Sequence, residues 1–500
     1  MSEGPPEDPK PRKRRRTQDE IMAEEEKEAK RQKDEWADYL KDEGKRRAVW
    51  AESADAARLA VQASREAASK YTPKPNAFYI TFIQMGQGDC AIMTTPAGKI
   101  IMIDCGSDSM ESGREPGDGN AVRKLAQYRK RIADAAQSKL HLIGKDKIDV
   151  LIITHPNTDH YNRLADVLFI SLGEDGGRKT YNYYPIGTVY HSRAIDAYSG
   201  QKFTSQSGDK YYLDQWLGER TAPANIKSVV LYHDITKTTA PPDTKVTADA
   251  AEAEAKSGDD WEKDKAPDVA LENRLAGTTY TEAAVATLAG VEIPAFSGTP
   301  TVGSLDADGG LVVHTEANCT VTLLAAGVDE DYRGDGSDLT NRGSVMTLIE
   351  VHGRRVLVSG DATVSTEHYI RKKRSDRTVN TRIQNLAILQ AGHHGSPTSS
   401  HHQFVNYVNP RWTVISSGFK VEKDALPKGF VVTRHRDVLT KAGLTSPEHP
   451  LSMWVNTGVS TQRVLNTTAP LHTTGSKGSL SFEITTDGTV TFLNDTKAEG

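Results

Sequence analysis

Residues 147–160 read KIDVLIITHPNTDH, and this stretch decides the fold class. The apolar run Val150–Ile153 is short and bounded by polar residues, the form of a strand buried on both faces. Directly after it, Thr154-His155-Pro156-Asn157-Thr158-Asp159-His160 crowds two imidazoles and a carboxylate onto one turn. A single histidine there would be an ordinary core or surface residue. Two histidines with an aspartate, ending a hydrophobic strand, point to a metal, because Asp159 buried without a partner is costly.

The same form recurs further along the chain. RRVLVSGD (354–361) is an apolar strand ending in Asp361, and NLAILQAG (385–392) ends in His393 and His394 within GHHGS (392–396). RWTVISSG (411–418) repeats the strand form, with helical patterns at 364–373 and 401–408. Upstream, AFYITFIQMGQGDCAIMTT (77–95) and KIIMIDCGS (99–107) supply three strands, and 118–140 has a helical pattern. Alternating strands and helices after a hairpin-rich start predict an α/β layered fold. Three strands would then deliver imidazole and carboxylate at their C-terminal ends, a donor set suited to Zn²⁺, Mn²⁺ or Fe.

Around this core the organisation changes. Residues 1–16 contain the basic run KPRKRRR and read as a disordered tail, suited to nucleic acid or to a localisation signal. Residues 17–72 are rich in Glu, Lys, Ala and Arg with few apolar positions, predicting a charged helical arm or coiled coil for a protein partner or self-association. The globular fold is expected in two halves, 73–169 and 311–500. Between them, 170–310 reads as an insertion with structure of its own, since so long a structureless loop is improbable.

Composition sets further bounds. With 500 residues, the chain expects more than one structural unit. No run approaches a membrane span, and no apolar segment follows the basic start. Three distant cysteines (Cys90, Cys105, Cys319) make a disulfide framework or cysteine zinc site unexpected and suit a reducing cytoplasm. A net charge of −5 gives no general attraction to nucleic acid, so a local patch such as residues 10–16 or RKKR (371–374) would have to supply it.

The ordered set GQGD (86–89), IDCG (103–106), THPNTDH (154–160), SGD (359–361) and GHHGS (392–396) resembles the metallo-β-lactamase fold. Within it, the set is similar to the soluble domain of ComEC-type competence proteins, over about residues 77–492, with TTDGTV (485–490) as the closing hairpin. The arm and the insertion have no counterpart there, and neither does a membrane channel. The resemblance implies an αββα sandwich with a divalent metal site of one or two ions at one edge. Carried over by position, His155 would bind the first ion, Asp159, His160 and His394 the second, and Asp361 would bridge them. His393 is the alternative to His394. Asp104 and Asp89 would stand behind the ligands and orient them.

The chain departs from the general pattern at Asn157, which stands where the fold uses histidine. The stretch Asn341-Arg342-Gly343-Ser344 likewise holds no histidine where a further ligand is usual. One firmly held ion is therefore expected, with a second that is weak, recruited with substrate, or Mn²⁺ or Mg²⁺ in place of zinc. The implied chemistry is hydrolysis by a metal-activated water held by Asp159 or Asp361, with His393, Ser396 or Asn341 donating to substrate. A phosphodiesterase or nuclease acting on nucleic acid is the favoured reading. A hydrolase of a small ester, thioester or lactam and a non-catalytic scaffold are the alternatives.

Overall fold

The computed structural model describes residues 72–107, 121–175, 178–192, 203–204, 210–229, 231, 310–328, 337, 339–371, 380–418, 426–456 and 460–495. The expected tail 1–16, the arm up to residue 71, residues 232–309 of the expected insertion and residues 372–374 of the RKKR run lie outside them.

The first strands are β1 (Phe78–Phe82), β2 (Ala91–Thr94), β3 (Ile100–Ile103) and β4 (Ile148–Ile153). They are followed by β5 (Phe169–Asp175), β6 (Arg178–Tyr183), β7 (Ile186–Ser192), β8 (Phe203–Thr204), β9 (Lys210–Tyr211) and β10 (Ile226–Val229). The later strands are β11 (Leu311–Glu316), β12 (Cys319–Ala325), β13 (Met346–Val351), β14 (Arg354–Val358), β15 (Ile388–Gln390) and β16 (Trp412–Ile415). Last come β17 (His449–Asn456), β18 (Ser460–Thr467), β19 (Leu471–Thr473), β20 (Leu480–Ile484) and β21 (Val490–Phe492). The helices are α1 (Ala121–Ala136), α2 (Leu164–Val167), α3 (Leu213–Gly218), α4 (Leu339–Arg342), α5 (Val364–Arg371), α6 (His402–Val408), α7 (Gly429–Lys441) and α8 (Thr474–Lys477). The fold is mixed α/β, with several sheets and more strand than helix among the described residues.

Two large sheets organise it. One runs β10-β7-β4-β3-β2-β1-β20-β21 and the other β11-β12-β13-β14-β15-β16-β19. In the first, β3, β4, β7 and β10 are mutually parallel; in the second, β14, β15, β16 and β19 are. Side-chain alternation divides the apolar residues into layers. Phe78, Ile80 and Phe82 of β1 join Ile101, Ile103, Val150 and Ile152 in one core with Val321, Ile349, Val356 and Val414 of the other sheet. The opposite faces, with Met102, Leu151 and Ile153, pack on Tyr128, Ile132 and Ala136, whose four-residue spacing puts them on one face of α1. Beyond the second sheet, Leu348, Leu357 and Leu389 meet Ile370 of α5 and Phe404 and Val408 of α6.

Part of the stretch expected as an insertion joins the large sheet. The insertion was drawn from residue 170, yet β7 and β10 belong to the eight-stranded sheet, β7 pairing with β4 from Ile148↔Ile186 to Ile153↔His191. The stretch IGTVYHS mixes Thr, Tyr and His with its apolar residues, so its strand character lies in β-branched and aromatic side chains rather than in an apolar run. Among the described residues, no helix is long and apolar enough to cross a membrane. The three cysteines are buried and unpaired by disulfide.

Candidate metal centre

The C-terminal ends of β3, β4, β14 and β15 meet at one place, the usual location for sites on parallel strands. From β3 comes Asp104; the turn after β4 gives His155, Asn157, Asp159 and His160; Asp361 follows β14, and His393 and His394 follow β15. Asp89 arrives from the loop between β1 and β2.

Glycines let these segments close on one another. A Cβ on Gly106 would stand 2.3 Å from the Asp159 carbonyl carbon and 2.4 Å from the His160 nitrogen, and one on Gly88 would stand 2.3 Å from the Gly106 oxygen. GQGD and IDCG therefore stack beneath the histidine turn, pinned by Cys105 N–H donating to His160 C=O (2.7 Å) and Gly106 N–H to Asp89 C=O (3.0 Å). Asp104, His393 and His394 hold left-handed backbone, φ 56°, 47° and 52°. Such conformations cost of order 1–3 kcal/mol each and gather at functional sites.

Asp361 is the hub. Its Oδ1 lies 3.3 Å from Nε2 of both His160 and His394, and its Oδ2 lies 3.7 Å from Nε2 of both His155 and His393. Asp159 reaches to 3.6 Å from His394 Nε2 and 4.0 Å from His160 Nε2. Its side chain is 18% exposed against 3% for Asp361, so it forms the solvent-facing wall. One ligand atom each from Asp89, His160, Asp361 and His394 lies within 4.8 Å of the others, so this buried quartet could hold a metal ion. Asp89, expected only behind the ligands, thus stands among them, with Gln390 donating to its Oδ1 at 2.8 Å.

The proton positions favour metal binding. His394 Nδ1–H donates to the Ser416 carbonyl (2.9 Å) and His160 Nδ1–H to Asp104 (2.8 Å). Thr154 gives its hydroxyl hydrogen to Asp104 (2.6 Å) and so accepts from His155 Nδ1–H (3.1 Å). Each of these rings is oriented by its Nδ1 and aims Nε2 at Asp361. Those three Nε2 atoms and Asp361 Oδ1 are buried and make no hydrogen bond. Four orphaned polar atoms around one point would be expensive in a finished core. A divalent cation among His160 Nε2, His394 Nε2 and Asp361 Oδ1 satisfies three of them, and the fit with the donor set is good.

Electrostatics agrees. Burial pushes Asp361 up, but His394 and His160 outweigh it and hold the carboxyl well below the usual range. Burial likewise raises Asp159, and His160 and His394 bring it to about 2. Burial depresses His160 and His394, yet Asp361 and its neighbours hold the first well above its ordinary value and the second at about 10. His155 is pushed well below by burial, with His160 alongside. Burial raises Asp89 to about 6, against the pull of His394, and raises Asp104. The cluster calls for positive charge, which a divalent ion supplies as it displaces the protons.

The remaining expected residues lie around the Oδ2 side. Asn157 donates to Asn341 Oδ1 (2.9 Å), Asn341 donates to His393 Nε2 (3.1 Å), and His393 Nδ1 meets Thr398 Oγ1 (2.8 Å). The Ser396 hydroxyl meets Thr398 Oγ1 (3.1 Å), and its backbone N–H donates to the His393 carbonyl (2.8 Å). The adjacent histidines separate: His394 joins His160 on Oδ1, and His393 joins His155 on Oδ2. Thr398, Gln390, Ser416 and Ser344, which stands 3.2 Å from His155 Nδ1, have roles that the sequence reading did not assign. Only Gln390, polar inside the apolar NLAILQAG, carried a signal. No family model matches the chain, and neither does any curated protein.

Proposed function

We propose that the protein is a metal-dependent hydrolase, a phosphodiesterase or nuclease on an αββα metallo-β-lactamase sandwich resembling the ComEC-type soluble domain. The observation that carries it is the convergence on Asp361 of buried Nε2 atoms that make no hydrogen bond. The architecture is supported by two sheets sharing one core, with helices packed beyond each.

His160, His394 and Asp361 would hold the ion, with Asp89 below and Asp159 at the mouth; Zn²⁺ and Mn²⁺ suit this donor set, and Mg²⁺ suits it less. The ion would supply an activated water near neutral pH and offset charge developing on the electrophile. Asp159, 18% exposed at the mouth, would accept a hydrogen bond from the attacking water and orient it. Asp104 fixes His160, and Ser416 fixes His394, so the ligands need little reorganisation. His393, 20% exposed, lines the outer side, with its two ring nitrogens held by Asn341 and Thr398, and would have to release one of them to meet a substrate oxygen. Nucleic acid as substrate rests on the resemblance and on the basic runs at 10–16 and 371–374, and a partner-binding role for the arm rests on sequence alone.

The test is hydrolysis of a generic phosphodiester and of mixed DNA, with Mn²⁺, Zn²⁺ or Mg²⁺ restored after chelation, beside Asp361→Ala. Metal-dependent cleavage lost in that variant is expected. Metal binding without cleavage of either substrate would move the reading to a small ester, thioester or lactam.

A further inference from the structure

We infer that the centre is built for one divalent ion, on the Oδ1 side of Asp361, and that hydrogen-bonded side chains close the Oδ2 side to a second. The inference rests on the metal reading above and specifies its stoichiometry.

The two sides of the carboxylate differ in the donors they leave available. On the Oδ1 side, His160 Nε2, His394 Nε2 and Oδ1 itself make no hydrogen bond, and a carboxylate from Asp89 completes the quartet. Asp159 adds a further oxygen at the mouth, 3.6 Å from His394 Nε2. Both rings have their other nitrogen tied, to Asp104 and to the Ser416 carbonyl, so their lone pairs point inward. That is a full donor set for a first-row divalent ion.

On the Oδ2 side, His155 Nε2 is the counterpart, also without a hydrogen bond. The second imidazole there is His393, and its Nε2 lone pair receives the Asn341 N–H at 3.1 Å. An amide nitrogen has no lone pair to give a cation. Nor can Asn341 turn alone to offer its oxygen, because Oδ1 already accepts from Asn157 at 2.9 Å, and turning would set two N–H groups face to face. From the far side, Thr398 holds His393 Nδ1 at 2.8 Å. Asn157, Asn341, His393 and Thr398 thus form a continuous chain across the place where a second ion would stand. His155 Nε2 and Asp361 Oδ2 remain as its only two donors among these side chains, too few to hold a divalent ion firmly against water.

The experiment counts metal rather than turnover. Chelated full-length protein is dialysed to equilibrium against Zn²⁺ or Mn²⁺, and bound metal per chain is measured by elemental analysis. One ion is expected in the native chain, and one still in His155→Ala, whose imidazole serves only the closed side. The double variant Asn157→His/Asn341→His breaks the hydrogen-bonded chain and adds two imidazoles, and two ions are expected. Two ions in the native protein, loss of the ion in His155→Ala, or a folded double variant that stays at one overturns the inference while leaving a metal centre in place. No metal in the native chain overturns the metal reading itself.

Discussion

Substituting Asp104→Asn changes one atom of the site and leads to a sharp expectation. Asp104 adopts left-handed backbone at φ 56°, a region asparagine enters as readily as aspartate, so the change carries no conformational penalty of its own. Its Oδ1 accepts the Thr154 backbone N–H at 2.7 Å, and that fixed donor forces the asparagine oxygen to stay there. The new NH₂ then falls where Oδ2 was, facing Thr154 Oγ1 and His160 Nδ1. Thr154 can rotate its hydroxyl and accept. His160 must accept as well, which sends its ring proton to Nε2, the atom 3.3 Å from Asp361 Oδ1 that the ion needs. A hydrogen bond to a charged acceptor contributes about 1.5–3 kcal/mol, and loss of such a supporting partner weakens metal binding by roughly 10–100-fold. The assay is competition for Zn²⁺ against a chromophoric chelator, with ¹⁵N NMR of the metal-loaded protein reporting which His160 nitrogen keeps its proton. An Asp104→Asn protein that binds as tightly as the native chain would refute the argument that Asp104 sets that proton.

Other expectations follow from the same geometry. Gly106→Ala sets a methyl 2.3–2.4 Å from the Asp159 and His160 backbone, so urea unfolding should show a loss of about 3 kcal/mol together with weaker metal binding. Arg129 and Asp166 form an ion pair at 2.5 Å with both side chains 1% exposed. Arg129→Met takes away the close partner of that carboxylate, with Arg163 at 3.7 Å, costing about 3 kcal/mol, and Arg129→Met/Asp166→Leu should recover much of it. Burial pushes His141 and His435 down from 6.5 to about 3. Both stay neutral when folded but take up a proton when unfolded below pH 6.5, so their contribution is complete above that pH and is lost progressively towards pH 3. Between pH 7 and 5 each should account for about 2 kcal/mol of lost stability, and His141→Gln should remove its share of the pH slope in denaturant titrations.

The elements that carry the site were legible because each joins an apolar strand to residues that a core alone does not need. KIDVLIITH, RRVLVSGD and NLAILQAG are β4, β14 and β15, and the polar residues that end them meet at Asp361. β7 and β10 were not legible, since Thr188, Tyr190, His191 and Ser228 dilute the apolar pattern of strands that tertiary pairing nonetheless fixes. Which of His393 and His394 faces which oxygen could not be read either. Adjacent residues in left-handed backbone point in directions that no helical or strand period predicts. Thr398 and Ser416 act through hydrogen bonds across loops, one through a hydroxyl and one through a main-chain carbonyl, and a carbonyl leaves no trace in residue type.

The pairing of β20 with β1, from Phe78↔Ile484 to Phe82↔Leu480, bears on how the chain emerges from the ribosome. About 400 residues separate the two partners, which at 5–20 residues per second is about 20–80 s of elongation. Throughout that interval β1, aromatic and apolar, has one hairpin neighbour in β2 and an open edge on its other side. The nascent chain therefore spends most of its synthesis with an adhesive strand uncapped. Messages truncated before residue 480 should yield aggregates that sediment and bind holdase chaperones, whereas chains stopped just after β21 should not. Translation speed, more than the final contacts, would then govern the yield of folded protein.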